Sequence, residues 1–252
     1  MVGFRKKSQD SASFSRSSGA KADGRAGAAS SGAAQRTRAG RTEPVLLVAE
    51  QQTAGRGRLG RAWASGVGDS LTFSLGLPLA PADWSGLSLA VGVAVAEALG
   101  PGVSIKWPND LWVQGRKLAG ILVETAGFTG QGAGPRYAVV GVGINIAPRP
   151  ADGLSTPPAA LRELWPEADA PSALARIASP LVQALQAFER EGFTGFQARF
   201  AARDALRDRA VALSDGTSGT AHGVSEAGAL LVHTGSGLQA VTSSEVSVRP
   251  VA

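Results

Sequence analysis

The period of apolar and polar positions changes along the chain and separates it into blocks. Between Val45 and Ile146, short apolar runs bounded by glycine, proline and polar residues read as strands: Val45–Ala49, Leu71–Leu77, Val103–Trp107, Leu111–Val113, Lys117–Thr125 and Tyr137–Ile146. Trp84–Leu99 carries small and aliphatic residues on more than one face, the signature of a buried helix. The two-residue pivot Gln114-Gly115 between apolar runs predicts a hairpin, and Gly120 inside an apolar strand marks a close approach by another backbone or a flat ligand.

The helical period takes over after residue 150. Thr156 is placed to cap a helix with prolines in its first turn, running to about Leu164, and Ala170–Glu191 and Gly195–Leu206 follow. Leu174, Ile177, Leu181, Leu185 and Phe188 fall on one side of the second, a packing face rather than a cofactor box. From Arg209, short strands punctuated by Asp215-Gly216, Ala227-Gly228 and Ser236-Gly237 read as a small β-barrel. The expected class is α+β, with a catalytic domain over 41–207 and a barrel over 208–252.

Composition changes the picture mainly at the N-terminus. Residues 1–40 hold nine Ala, eight Ser and six Gly with few large apolar side chains, so they are expected to be a disordered tail that cannot repay its ordering entropy. They also carry eight Lys/Arg against two Asp, which leaves 17 basic and 18 acidic side chains in the rest of the chain. The formal charge of +5 therefore belongs to the tail and gives no groove for DNA. No apolar run approaches the ~20 residues that span a bilayer. The absence of cysteine excludes disulfides and thiolate chemistry and fits a cytoplasmic protein. His222 and His233 lie in strand-like sequence near the C-terminus, an unlikely setting for a histidine triad or metal centre.

Candidate chemistry gathers in two places. In Gln51–Trp63, arginines alternate with glycines in a loop between strands, suited to holding an anion. Beyond the tail the only lysines are Lys106 and Lys117, against a clear preference for arginine elsewhere. They flank the turn that presents Asn109 and Asp110, and Asn145 closes a later strand. Cations, one carboxylate and amides suit anionic-substrate chemistry driven by electrostatics and positioning. No G-x-x-x-x-G-K-[ST] loop or dinucleotide fingerprint occurs.

The runs Gln52-Thr53-Ala54-Gly55-Arg56-Gly57-Arg58-x-Gly60-Arg61-x-Trp63, Lys106-Trp107-Pro108-Asn109-Asp110, Lys117-Leu118-Ala119-Gly120-Ile121-Leu122-Val123-Glu124 and Gly141-Val142-Gly143-Ile144-Asn145 resemble the biotin protein ligases. The resemblance implies a mixed β-sheet flanked by helices, related to class II aminoacyl-tRNA synthetases, followed by an SH3-like barrel. It implies ATP-dependent formation of biotinyl-5′-AMP, then transfer of biotin to a lysine of the biotin carboxyl carrier protein of acetyl-CoA carboxylase. Magnesium arrives with ATP, and the protein supplies no metal site of its own. By the same resemblance Gln52, Gly55, Arg56, Gly57, Arg58, Lys117 and Gly120 serve biotin, while Arg58, Arg61, Trp63, Lys106, Asn109, Lys117 and Asn145 serve ATP. Lys117, Arg58 and Asp110 are the catalytic candidates. An exposed strand edge is where a second copy, making a homodimer, or the carrier would pair.

One departure stands out. The family opens its catalytic domain with Ser-Thr-Asn, which hydrogen-bonds the biotin ring, and the chain contains no such run. Either another segment takes its place or biotin binding is weakened, at about 1–3 kcal/mol for each polar group left unpaired. Forty residues of Ser/Ala/Gly-rich tail do not encode the repressor domain of some relatives, so no DNA partner is expected. Lipoate or octanoyl transfer on the same scaffold is the alternative activity, and a nucleic-acid-binding protein using its basic tail is a distant third.

Overall fold

Alternation along one strand sets the layers. Ser70–Leu79 turns Leu71, Phe73, Leu75, Leu77 and Leu79 to one side and Ser70, Thr72, Ser74 and Gly76 to the other. The computed structural model describes residues 42–251 apart from 53, 61, 64, 128–135, 152–155 and 243–247. The expected disordered tail lies outside the described residues.

That strand is β4 of a six-stranded sheet ordered β1 (Val45–Ala49), β4, β8 (Arg136–Asn145), β7 (Arg116–Gly127), β6 (Asp110–Val113), β5 (Ser104–Lys106). Its ladders are antiparallel, and parallel bridges from Lys117 to Pro158 and from Ile105 to Asp204 at its margins make it mixed. Two helices cover the aliphatic face. α1 (Leu87–Leu99) is buried on most sides, and its Gly92 faces Ile105, Leu111 and Ile121. α2 (Ala170–Glu191) is amphipathic, buries Leu174, Ile177, Leu181, Leu185 and Phe188, and packs on α1 and β4. Each large apolar side chain so buried stabilises by roughly 1.5–3 kcal/mol. Asp169 caps α2, its Oδ1 accepting from the Ser172 amide at 2.8 Å.

Several expectations shift in detail. The Gln114-Gly115 hairpin is present, with both residues at positive φ (50° and 77°) as its tight turn requires. The helix expected from Thr156 is not formed. Pro157 and Pro158 cannot donate amides, and this stretch instead pairs with β7, where the Lys117 amide donates to Pro157 O at 2.9 Å and the Ala159 amide to Lys117 O at 2.8 Å. Only a 3₁₀ turn, Leu161–Glu163, follows. The helix expected over Gly195–Leu206 shrinks to a 3₁₀ turn at Thr194–Phe196 and α3 (Gln197–Ala201), because the next residues pair with β5. There the Ile105 amide donates to Arg203 O at 2.7 Å and the Ala205 amide to Ile105 O at 2.9 Å.

The C-terminal unit is a five-stranded antiparallel sheet of the SH3-like kind. Its order is β12 (Gly237–Val241), β11 (Leu230–Thr234), β10 (Ser218–Val224), β9 (Ala210–Leu213), β13 (Val248–Pro250). Among the described residues no ladder joins β12 to β13. The buried Trp107 indole donates to Gly228 O at 3.0 Å, tying this unit to the strand end that precedes Asn109.

At the β5 seam, Asp204 Oδ1 accepts from the Leu206 amide at 2.9 Å, while Oδ2 is buried without a partner. Burial pushes this carboxyl above its ordinary range. A native state that binds the proton more tightly than the unfolded chain is favoured below the ordinary carboxylate range and loses that advantage as pH rises through the raised value. Asp204→Asn keeps the Oδ1 acceptor and removes the buried charge. It is expected to raise the melting temperature at neutral pH and leave it unchanged well below the carboxylate range; an equal shift at both would place the effect elsewhere.

Candidate active site

The face of the sheet turned away from the helices carries one row that crosses all six strands. Directly opposed residues share a face, and the register aligns Ala49, Thr72, Gly143, Gly120, Asp110 and Lys106 in succession. The two central glycines leave a trough, with a hydroxyl on one side and a carboxylate and a lysine on the other. This floor lies in a cavity of about 470 Å³.

At the charged end, Lys117 Nζ lies 2.7 Å from Asp110 Oδ1, with the two side chains 31% and 16% exposed. The lysine head sits above Gly120, where an added Cβ would lie 3.5 Å from Nζ. Its backbone is fixed on both sides by Pro157 and Ala159 as described, and the Asn145 amide nitrogen donates to Lys117 O at 3.1 Å and to Ala159 O at 3.0 Å. Arg116 pairs with Glu163 and strengthens the same junction; that contact holds the Glu163 carboxyl below its ordinary range. Asn109 is held on β7, its side-chain amide donating to Ile121 O at 2.7 Å and its carbonyl accepting from the Ile121 amide at 2.9 Å. Lys106 is buried, with Nζ 5.5 Å from the centre of the Trp112 ring.

The arginine-glycine stretch forms a hairpin of β2 (Gly55–Arg56) and β3 (Ala62–Trp63) that folds over the trough. Gly55 has no room for a side chain, since a Cβ there would fall 2.4 Å from Trp63 O and 2.6 Å from Gln52 Oε1. Arg56 is exposed, and Arg58 Nη1 reaches Asn109 Oδ1 at 3.5 Å. The Trp63 indole lies on Gly143 and Gly120, and the Arg149 guanidinium stands 5.3 Å from its centre. Burial there lowers the Arg149 pKa.

Of the residues singled out from the sequence, Gln52, Arg56, Gly57, Arg58, Trp63, Lys106, Asn109, Asp110, Lys117 and Gly120 line this one cavity. Gly55 and Asn145 stand behind the lining, and Arg61 lies outside the described residues. Thr72, Ser74, Arg149 and, from the C-terminal unit, Arg209 and Arg249 also line it and were not expected. The hydroxyls had a signal in the Ser70, Thr72, Ser74, Gly76 alternation of an otherwise aliphatic strand. The arginines had none beyond their charge. Among the described residues that line the cavity, Asp110 is the one carboxylate.

Residues 34–145 match the biotin/lipoate A/B protein ligase family, and residues 209–249 match the biotin protein ligase C-terminal domain. The bifunctional ligase/repressor BirA of Escherichia coli is 38% identical over 217 residues, covering 80% of this chain and 65% of BirA. The chain thus spans about two thirds of the length of the bifunctional relatives it matches. The biotin–[acetyl-CoA-carboxylase] ligase of Paracoccus denitrificans is 33% identical over 215 residues, covering 79% of this chain and 88% of that protein. Among solved structures, the Aquifex aeolicus biotin protein ligase in complex with biotin and ATP superposes with a TM-score of 0.70 at 31% identity, covering 82% and 89% of the two chains. A relative matched over nearly its whole length and two family regions that fall on the cleft strands and on the C-terminal sheet show that the chain belongs to the biotin protein ligases of the biotin/lipoate A/B protein ligase family.

Proposed function

We propose that the protein activates biotin with MgATP and transfers it to a lysine of a biotin carboxyl carrier domain. The observation that carries this reading is the Lys117–Asp110 pair at 2.7 Å on the floor of a cleft rimmed by arginines. In the first step a biotin carboxylate oxygen attacks the α-phosphorus of ATP, the bond to pyrophosphate breaks, and biotinyl-5′-AMP forms. Both reactants are anions, so their approach is opposed by repulsion that Lys117, Arg58 and Arg56 offset. Lys117, fixed through its backbone, is set to meet charge as it builds on the α-phosphoryl oxygens. In the second step the carrier lysine amine attacks the biotinyl carbonyl, AMP departs with the bonding pair, and the amine proton must leave. Asp110 is the cleft carboxylate placed to orient that amine or take its proton. The ion that comes with the ATP phosphates is a co-substrate, and Asn109 and Asp110 are the cleft residues that would meet it.

Support for biotin over lipoate comes from the named relatives and from the match to the biotin protein ligase C-terminal domain. Incubation with biotin, MgATP and a carrier domain should yield a carrier heavier by one biotinyl group in a mass spectrum, with pyrophosphate released in step. Biotin should raise the melting temperature and lipoate should not, because only a ligand that binds the native state stabilises it. Modification by lipoate in place of biotin would overturn the substrate assignment.

A further inference from the structure

The cleft has a second cationic end with no assigned role. Arg209 and Arg249 line it from the C-terminal unit, and both are exposed, so the space in front of them is open to a ligand. Neither forms an ion pair among the described residues. The acidic residue next to Arg209, Asp208, faces Arg207 Nε and His222 Nδ1 instead, each at 3.8 Å. Asp110, the one carboxylate among the described lining residues, already faces Lys117.

Arg209 is also held in place through its backbone. Its amide donates to Leu206 O at 3.0 Å and its carbonyl accepts from the Ala221 amide at 2.9 Å. One tight turn separates it from Arg203–Ala205, the segment that hydrogen-bonds Ile105 on β5. Lys106, the next residue on β5, ends the row that passes through Gly120 and Asp110. The charged end of the row thus adjoins the turn that carries Arg209.

Adenylation calls for a cation on that side. ATP carries most of its charge on the β- and γ-phosphates, and when the bond from the α-phosphorus to the bridging oxygen breaks, the departing pyrophosphate keeps the bonding pair. Attacking and leaving oxygens lie roughly in line across the phosphorus. With the biotin carboxylate delivered from the arginine hairpin and Lys117 at the α-phosphate, the leaving group points away from the hairpin, toward β5 and the C-terminal unit. A guanidinium suits it, since its planar fork gives two parallel hydrogen bonds to phosphate oxygens.

We propose that Arg209 is a pyrophosphate-binding residue, its guanidinium holding the β- and γ-phosphates of ATP and the pyrophosphate they become. The assignment rests on the biotin-ligase reading and makes the C-terminal sheet part of the adenylation site.

Calorimetric titration of the full chain with MgATP, magnesium pyrophosphate, AMP and biotin tests it. Arg209→Gln should weaken MgATP and pyrophosphate about tenfold, the low end for a hydrogen bond between charged groups because the arginine is exposed. AMP, which lacks the β- and γ-phosphates, and biotin should bind within twofold of the parent. Arg209→Lys keeps the charge without the fork and should lose less than Arg209→Gln. Unchanged pyrophosphate affinity in Arg209→Gln overturns the assignment and leaves the ligase reading standing. Equal losses for AMP and MgATP overturn it too, since they place the effect away from the leaving group. A parent chain that binds pyrophosphate but forms no biotinyl-5′-AMP from biotin and MgATP overturns the ligase reading, and this inference with it.

Discussion

Lys117→Gln is expected to slow biotinyl-adenylate formation by about 10²–10³-fold, the loss typical of removing one preorganised group that stabilises developing charge. The substitution keeps length and hydrogen-bonding capacity but removes the cation that faces Asp110 at 2.7 Å. Its effect on folding should be smaller, because the lysine side chain is 31% exposed and solvent screens part of the pair. The backbone ties from Pro157, Ala159 and Asn145 do not depend on the side chain. Lys117→Arg is not expected to rescue activity, since a planar fork cannot follow a moving charge as an ammonium does. The rate of pyrophosphate release, with the melting temperature measured in parallel, checks this. Parental turnover in a well-folded Lys117→Gln protein would remove Lys117 from the mechanism.

Asn145 shows why a position is easier to read from the sequence than the groups it bonds. Its place at the end of a glycine-containing strand marks it as polar and strand-terminal, and the family resemblance adds a role on the ATP side. The structure buries it to 1% exposure and directs its amide to two backbone carbonyls, one of them that of Lys117. Strand-end position is visible in one dimension, whereas the partner of an amide depends on which distant segment folds against it. Here that segment is Pro157–Ala159, the stretch whose prolines and threonine imitate a helix start.

The same distinction runs through the fold. Elements governed by local pattern were legible: β7 and β8 from their apolar runs, α2 from its 3.6-residue period, and the tight Gln114-Gly115 turn. The row that makes the trough was not, because it depends on inter-strand register across residues as far apart as Ala49 and Gly143. Single glycines were recognisable as close approaches, and Gly120 was singled out for that reason. Only the register reveals that Gly120 and Gly143 are neighbours and that Trp63 fills the space both leave open.

Gly143→Ala is expected to be the most damaging single-atom addition on the cleft floor. A Cβ at Gly143 would lie 2.5 Å from Trp63 Cε2 and 2.6 Å from Cζ2, inside any tolerable contact, and the indole is a rigid plate. Either the ring leaves the trough or the strands part, and overpacking of this kind typically costs about 1–3 kcal/mol. Because the ring belongs to the arginine hairpin, its displacement also lifts β2 and β3, and with them Arg56 and Arg58, from the floor. Stability and ligand affinity should therefore fall together, biotin binding by tenfold or more. Gly141→Ala supplies the contrast on the same strand and face, two residues away. A Cβ there meets Leu122 O at 3.5 Å and Ser74 Oγ at 3.6 Å, ordinary contacts, so the melting temperature should barely move. Thermal unfolding and biotin titration of the two variants together decide the matter. Equal tolerance of alanine at both positions would mean that the indole does not rest on Gly143 in solution, and that the trough stands open before any ligand arrives.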